Sequence, residues 1–246
     1  MTVRLYVDLP PGELAAGRTV ALPDAAAHHA LRVLRMRDGE PVTLFDGSGG
    51  EWRAMLAVSG RRGAQARVEA HDPVERESPL AVTLALATIA SEAMDSALRK
   101  AVELGAAAIA PMIAARSQRA PRGASRPDHW RRIAIAACEQ CGRNRVPPIA
   151  DPLPLADWLP ARTAGRAGVV LVPGAPRSLA SIAIDGPIDR PIDLAIGPEG
   201  GWTPEEARLL ERSGFAAASM GPRILRAETA AVSALAILLS AGGGLR

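Results

Sequence analysis

The sequence predicts an α/β fold for the larger, C-terminal part of the chain, with a small β-barrel ahead of it. Three observations carry that expectation. From Leu80 onward, strand-like and helix-like segments alternate, the pattern of βαβ units built on a parallel sheet. Residues 1–72 instead hold short apolar runs separated by turn residues. Between the two parts, Pro73-Val74-Glu75-Arg76-Glu77-Ser78-Pro79 is charged and bracketed by prolines, which reads as a linker at 73–79 before a domain at 80–246.

In the first part, Val42–Phe45 and Trp52–Val58 flank the glycine-rich stretch Asp46–Gly50, a hairpin signal. Val20–Leu22 and Ala66–Val68 are weaker strand candidates, and His28-His29 stands at the start of a short helix. In the second part Leu80, Val82, Leu84 and Leu86 share one face of a strand over Leu80–Ile89. Met94, Ala97, Leu98, Ala101 and Val102 then fall at helical spacing, and Gly105 ends that helix. Ile109–Ile113 completes a βαβ unit. A helix from about His129 to Cys141 follows, then buried strands at Val169–Val172 and Ile192–Ile196. The last elements are a helix over Pro204–Arg212, a strand over Ala216–Met220 and an apolar helix over Glu228–Leu239. The stripe Val232, Leu235, Ala236, Leu239 on that helix suits a core or a partner equally.

Composition excludes several classes. Hydrophobic residues make up 48% and charged residues 22%, as in an ordinary globular protein. No apolar run reaches the roughly 18–20 residues of a membrane span, and Met1–Tyr6 lacks a signal-peptide core. Two cysteines make no disulfide framework, so a cytoplasmic protein is expected. The sequence pI is about 9.5, and Lys100 is the only lysine, so arginine carries nearly all the positive charge. Arg116, Arg119, Arg122, Arg126, Arg131, Arg132, Arg143 and Arg145 stand against only Asp128 and Glu139 in one stretch. Arginine forks match phosphate and stack on bases, so this stretch, with its loop from Arg116 to Pro127, reads as an RNA contact.

Chemistry concentrates near the C-terminus. A buried strand runs into Ile196-Gly197-Pro198-Glu199-Gly200-Gly201-Trp202-Thr203-Pro204-Glu205-Glu206. Thr203 suits an N-cap, Pro204 the first helical position, and Glu206 completes a capping box. Glycines let a ligand approach the backbone, and loops at the carboxyl ends of parallel strands are favoured ligand sites. The run is neither a P-loop nor a dinucleotide fingerprint. A second strand-to-helix loop is Met220-Gly221-Pro222-Arg223-Ile224-Leu225-Arg226-Ala227-Glu228-Thr229-Ala230, an ordinary connection if read alone.

Together these two segments resemble the signature of the RsmE family of RNA methyltransferases. The likeness extends to Met94-Asp95 with Glu103-Leu104-Gly105, to Glu139-Gln140 with Arg143, and to His29 with Val33-Leu34-Arg35. One departure is that Ala90-Ser91-Glu92-Ala93 stands where relatives commonly carry Lys-Gly-Asp/Glu.

The resemblance implies an N-terminal PUA-like barrel, a C-terminal SPOUT domain with a deep trefoil knot, and a homodimer. The implied activity is S-adenosylmethionine-dependent methylation of uridine N3 in 16S rRNA. Three loops would hold the cofactor: Leu171, Val172, Pro173 and Gly174; Ile196, Gly197, Pro198, Glu199, Gly200 and Gly201; and Met220, Gly221, Ile224, Leu225, Arg226, Thr229 and Ala230. Arg226, Glu199 and Glu228 are candidates for handling charge or the departing proton, and Arg4, Arg32, Arg35, Arg116, Arg143 and Arg145 for holding RNA. No metal is expected. Methylation of a ribose 2′-hydroxyl by the same fold, or a PUA-type RNA-binding protein without activity, are the rival readings.

Cys138 and Cys141 lie on the apolar stripe of their helix and read as core thiols, since zinc would need two further ligands.

Overall fold

The computed structural model describes residues 2–10, 12–59, 63–118, 126–184 and 190–245. The chain divides into two compact units: Met1–Arg76 with Cys138–Val146, and Glu77–Ala137 with Pro147–Arg246. The boundary at Arg76 falls inside the proline-bracketed segment. The division is not into two contiguous stretches, because Cys138–Val146 belongs with the N-terminal unit.

The first unit holds strands β1 (Val3–Tyr6), β2 (Thr19–Ala21), β3 (Pro41–Phe45), β4 (Glu51–Ser59) and β5 (Gly63–Asp72) in one sheet of order β1-β3-β4-β5-β2. The expected hairpin is β3–β4, paired antiparallel around the glycine-rich turn. Strand β1, which periodicity did not single out, runs parallel to β3. Leu5, Val42, Leu44, Leu56, Ala66 and Val68 form the core beneath the sheet. Helix α1 (Asp24–His28) begins four residues earlier than its histidines, so His28 ends it rather than starting it. A π-helical turn, His29–Val33, follows.

Charged groups tie Cys138–Val146 into this unit. Asn144, 1% exposed, accepts from Arg4 and Arg76 and donates to the Val74 carbonyl at 2.8 Å. Glu51 receives both Arg4 and Arg76, and the Glu139 carboxylate accepts from the Tyr6 N–H at 2.9 Å. Cys138 is buried and Cys141 half-buried at the end of their helix.

The second unit is built on a six-stranded sheet, every pairing of which is parallel. Its elements in chain order are β6 (Val82–Ala87), α2 (Ser91–Leu104), β7 (Ala108–Ile113), α3 (Arg126–Cys141), β8 (Leu153–Pro154), α4 (Leu155–Ala161), β9 (Ala167–Leu171), α5 (Leu179–Ile184), β10 (Ile192–Ile196), α6 (Pro204–Arg212), β11 (Phe215–Ala218) and α7 (Ala227–Ala241). The last turn of α3 passes into the first unit. The sheet order is β11-β9-β10-β6-β7-β8.

Strands β6 and β10 are central and buried on both faces, so the alternation read along Leu80–Ile89 does not separate a core face from a wet one. Leu84, Ala85, Leu86 and Ala87 are all fully buried. Helices covering both faces of a parallel sheet impose this pattern. Helix α2 ends at Gly105 in the left-handed region (φ 100°), as its sequence predicts. Helix α6 begins with the expected capping box: the Thr203 hydroxyl accepts from the Glu206 N–H, and the Glu206 carboxylate accepts from the Thr203 N–H. No helix among the described residues is long and apolar enough to cross a membrane.

At the start of β10, Asp193 (2% exposed) receives Arg162 Nε at 2.7 Å and Arg166 Nε at 2.6 Å. The Arg162 guanidinium lies 4.2 Å from the centre of the Phe215 ring. This pinned end of the sheet is opposite the loops that carry the site.

Candidate cofactor pocket

Chain direction in a parallel sheet brings the loops after β9, β10 and β11 to the same end. There they enclose a cavity of about 300 Å³. Its walls include Leu171, Val172 and Pro173 from the first loop, Ile196 through Trp202 from the second, and Met220, Gly221, Arg223, Ile224, Leu225, Ala227 and Ala230 from the third, with Ala218 from β11. The structure therefore brings together most residues of the three expected loops.

Gly174, Arg226 and Thr229 do not line it. Gly174 sits on the exposed turn beyond Pro173, and Arg226 is exposed at the N-cap of α7. Thr229 and Glu228 instead line a separate cavity of about 120 Å³ with Ser96 and Lys100 of α2. The cause is helical geometry: once α7 starts at Ala227, successive side chains point about 100° apart, so only Ala227 and Ala230 face the loops. Of the three candidate catalytic residues, Glu199 alone lines the pocket.

Trp202, Ala218, Arg223 and Ala227 are pocket residues that sequence reasoning left off its list. Trp202 and Arg223 stand within the motifs already singled out, so the signal was present. Ala218 lies in a strand and carries none.

Hydrogen bonds both within the pocket wall and from outside it hold the glycine loop. Trp202 Nε1 donates to the Leu171 carbonyl at 3.1 Å. The Arg116 guanidinium donates to the Gly200 carbonyl at 2.8 Å, and the Ala90 N–H to the Glu199 carboxylate at 3.4 Å. Glu206, besides capping α6, accepts from the Ala115 N–H at 2.7 Å. Thus the backbone of Ala90 also anchors the loop. A Cβ on Gly197 would lie 3.0 Å from the Trp202 ring, tighter than nearly all packed contacts, so any side chain there would force the indole to shift.

The six arginines expected at RNA separate into groups. Arg4 (side chain 10% exposed) and Arg143 (4% exposed) are buried, and Arg4 is bonded to Glu51 and Asn144. The Arg4 guanidinium thus braces the N-terminal unit and Arg143 is enclosed within it, which argues against an RNA-facing role for these two. Arg145 is half-exposed and paired with Glu75, and Arg32, Arg35 and Arg116 are exposed. Of the basic loop from Arg116 to Pro127, residues 119–125, with Arg119 and Arg122, lie outside the described residues.

The second unit is thus a parallel α/β unit with a small-molecule pocket built from loops at the carboxyl ends of its strands, and a small β-sheet unit precedes it. A family model described as an RNA methyltransferase domain matches residues 76–239, and one described as an RNA methyltransferase PUA domain matches residues 22–69. The ribosomal RNA small subunit methyltransferase E of Synechocystis is 36% identical over 89% of this chain and 72% of its own length. That of Mycobacterium bovis is 33% identical over 94% of this chain and 88% of its own. Among solved structures, the Neisseria gonorrhoeae ribosomal RNA small subunit methyltransferase E bound to S-adenosyl methionine superposes with a TM-score of 0.89 at 37% identity, covering 98% of both chains. A Legionella pneumophila chain in complex with the same cofactor gives 0.90 at 37%, again over 98% of both. The chain belongs to the RsmE family of ribosomal RNA small subunit methyltransferases.

Proposed function

We propose that this protein methylates N3 of a specific uridine in 16S rRNA, with S-adenosylmethionine bound in the pocket between the three loops. The observation that carries the reading is the convergence of Leu171–Pro173, Ile196–Gly201 and Met220–Leu225 on one cavity. Its size falls at the lower end of the ~300–1,000 Å³ of small-molecule sites. Leu171, Val172, Ile196 and Leu225 offer an apolar wall for an adenine ring, and the glycine loop offers backbone groups for its polar edge. The named relatives and the cofactor-bound Neisseria chain support the same assignment.

The cofactor supplies an electrophilic methyl group on a sulfonium. Transfer of that methyl group to N3, with the electron pair of the broken bond left on sulfur, would require the chain to take up the N3 proton. The chain's contribution is to hold the reactants in line and exclude water. Glu199 is the carboxylate of the lining and the candidate to accept the proton. Arg226, exposed at the N-cap of α7 where the third loop ends, is the candidate to stabilise negative charge on the uracil. Glu228, in the other cavity, has no part in this reading. The reading includes a cytoplasmic homodimer acting on the small ribosomal subunit, a PUA-like barrel in the first unit and a knotted second unit.

Mass spectrometry of 16S rRNA from a strain lacking the protein tests it. Loss of one base-methylated uridine, restored by the wild-type chain, is the expected result. Loss of a ribose methyl group would move the reaction to the 2′-hydroxyl. Unchanged rRNA together with no cofactor binding in calorimetry would leave a PUA-type RNA-binding protein.

A further inference from the structure

The turn that follows α1 exposes apolar side chains that continued helical spacing would have buried. Ala26, Ala27 and Ala30 are buried, and continued α-helical spacing would put Val33 and Leu34 on the same core-facing stripe. They are instead 58% and 42% exposed. The cause is the π-helical geometry of His29–Val33, closed by the Leu34 N–H donating to the His29 carbonyl at 3.0 Å. The extra residue in that turn rotates the following side chains away from the core, and Met36 packs there in their place. Single π turns within helices are found mostly at functional sites.

The residue that ends the turn points the same way. Arg35 has φ 55°, the only non-glycine residue in the left-handed region among those described. Helix ends of this kind ordinarily use glycine or asparagine, because a Cβ is strained there. The Met36 N–H closes the turn on the Ala30 carbonyl at 3.0 Å, so the backbone needs the conformation but not the side chain. Arg35 and Arg37 are exposed, and neither makes a side-chain hydrogen bond or ion pair with the described residues. Arg32 is exposed beside them. The next acid along the chain, Asp38, accepts from the Val58 N–H at 2.8 Å.

We infer that Arg32–Arg37 is a contact for unpaired RNA, in which Val33 and Leu34 pack against exposed bases while Arg35 and Arg37 hold the flanking phosphates. Three arginines around two aliphatic side chains select a polyanion with accessible apolar faces. Single-stranded RNA offers both, whereas the bases of an RNA duplex are stacked and out of reach. Strain kept at an exposed position is what a binding role would retain. The inference rests on the RNA methyltransferase reading and adds to it the RNA form that the N-terminal unit grips.

Full-length protein is titrated with an unstructured oligoribonucleotide and with a fully paired RNA duplex of equal length, across a range of salt. For Arg35→Gly, relief of strain should leave the melting temperature unchanged or higher. The single-strand salt slope should fall by about 0.7, one phosphate contact. Leu34→Ser should weaken single-strand binding about tenfold, the loss of one aliphatic contact, with the slope and duplex affinity unchanged. Variants that bind the single strand like the wild type, while still methylating rRNA, would overturn this inference and leave the proposed function standing. A change of oligomeric state in Leu34→Ser with RNA binding intact would overturn it in favour of a second copy of the chain. Wild-type protein that binds no RNA and transfers no methyl group would instead count against the proposed function.

Discussion

The indole N–H of Trp202 donates to the carbonyl oxygen of Leu171 at 3.1 Å, tying the loop after β10 to the end of β9. Both residues line the same cavity, so this bond sets the spacing of two of its walls. Trp202→Phe keeps the aromatic bulk and removes the donor. Calorimetry should show S-adenosylmethionine binding weakened by about 1 kcal/mol, with little change in melting temperature. Unaltered affinity would mean that the two loops hold their spacing without the bond.

Steric effects in the glycine loop should be graded. A Cβ at Gly197 meets the packed Trp202 ring at 3.0 Å, whereas one at Gly200 meets Arg116 Cβ at 3.1 Å and Cδ at 3.2 Å. At Gly200 only the Cβ contact is fixed, since Arg116 is exposed and its outer carbons can swing aside, whereas at Gly197 three atoms of a half-buried indole tied to the Leu171 carbonyl all lie within 3.3 Å. Gly197→Val should therefore abolish cofactor binding, and Gly200→Val should weaken it while breaking the Arg116–Gly200 hydrogen bond. Circular dichroism is expected to stay native for both, and an equal effect on binding would refute the ranking.

Two carboxylates of the first unit give opposite pH dependences. Burial pushes the Glu51 carboxyl up, but hydrogen bonds and charge from Arg76 and Arg4 outweigh it and hold it below its ordinary 4.5. Its stabilising contribution is thus present above pH 4.5 and lost as pH falls through the depressed folded value. Burial raises the Glu139 carboxyl, overcoming the Tyr6 N–H and the charges of His29 and Arg4. The fold therefore favours its protonated form, and the cost of ionising it appears as pH rises above the unfolded value. In thermal melts, Glu51→Gln should flatten the acid limb below pH 4.5. Glu139→Gln, which can still accept from Tyr6, should not lower the melting temperature at neutral pH.

Asp193 neutralises two arginines at the end of the sheet remote from the pocket. Asp193→Ala would leave Arg162 and Arg166 enclosed without their counter-charge, at a cost of about 3–5 kcal/mol. Urea unfolding is the measurement, and cofactor affinity of the remaining folded protein should be unchanged. A cost below about 1 kcal/mol would show that the arginines find water instead.

Buried and exposed arginines should behave differently towards RNA. Arg4→Ala removes a guanidinium bonded to Glu51 and Asn144, so it should lower the melting temperature and leave the salt slope of RNA binding alone. A flattened slope in folded Arg4→Ala protein would restore Arg4 to the RNA surface.

Much of the architecture is written locally in the chain. The β3–β4 hairpin follows from apolar runs around Asp46–Gly50, helix α2 from its periodic stripe and Gly105, and helix α6 from Thr203, Pro204 and Glu206. Each depends on residues a few positions apart, so spacing alone determines it. The three loops that line the pocket were legible for the same reason, since their glycines and prolines follow directly on buried strands.

What spacing does not encode was decided by contacts distant in sequence. Arg4 and Arg143 look like any other surface arginines until Glu51 and Asn144 are brought to Arg4 and the fold closes over both. Arg116 carries no sign of its bond to Gly200, 84 residues away. Val33 and Leu34 fit a core stripe and lose it to one π turn, because a single added residue rotates every side chain after it. Periodicity predicts which face a residue takes on an ideal element. Only the packed structure sets where the element departs from the ideal and which charges it encloses.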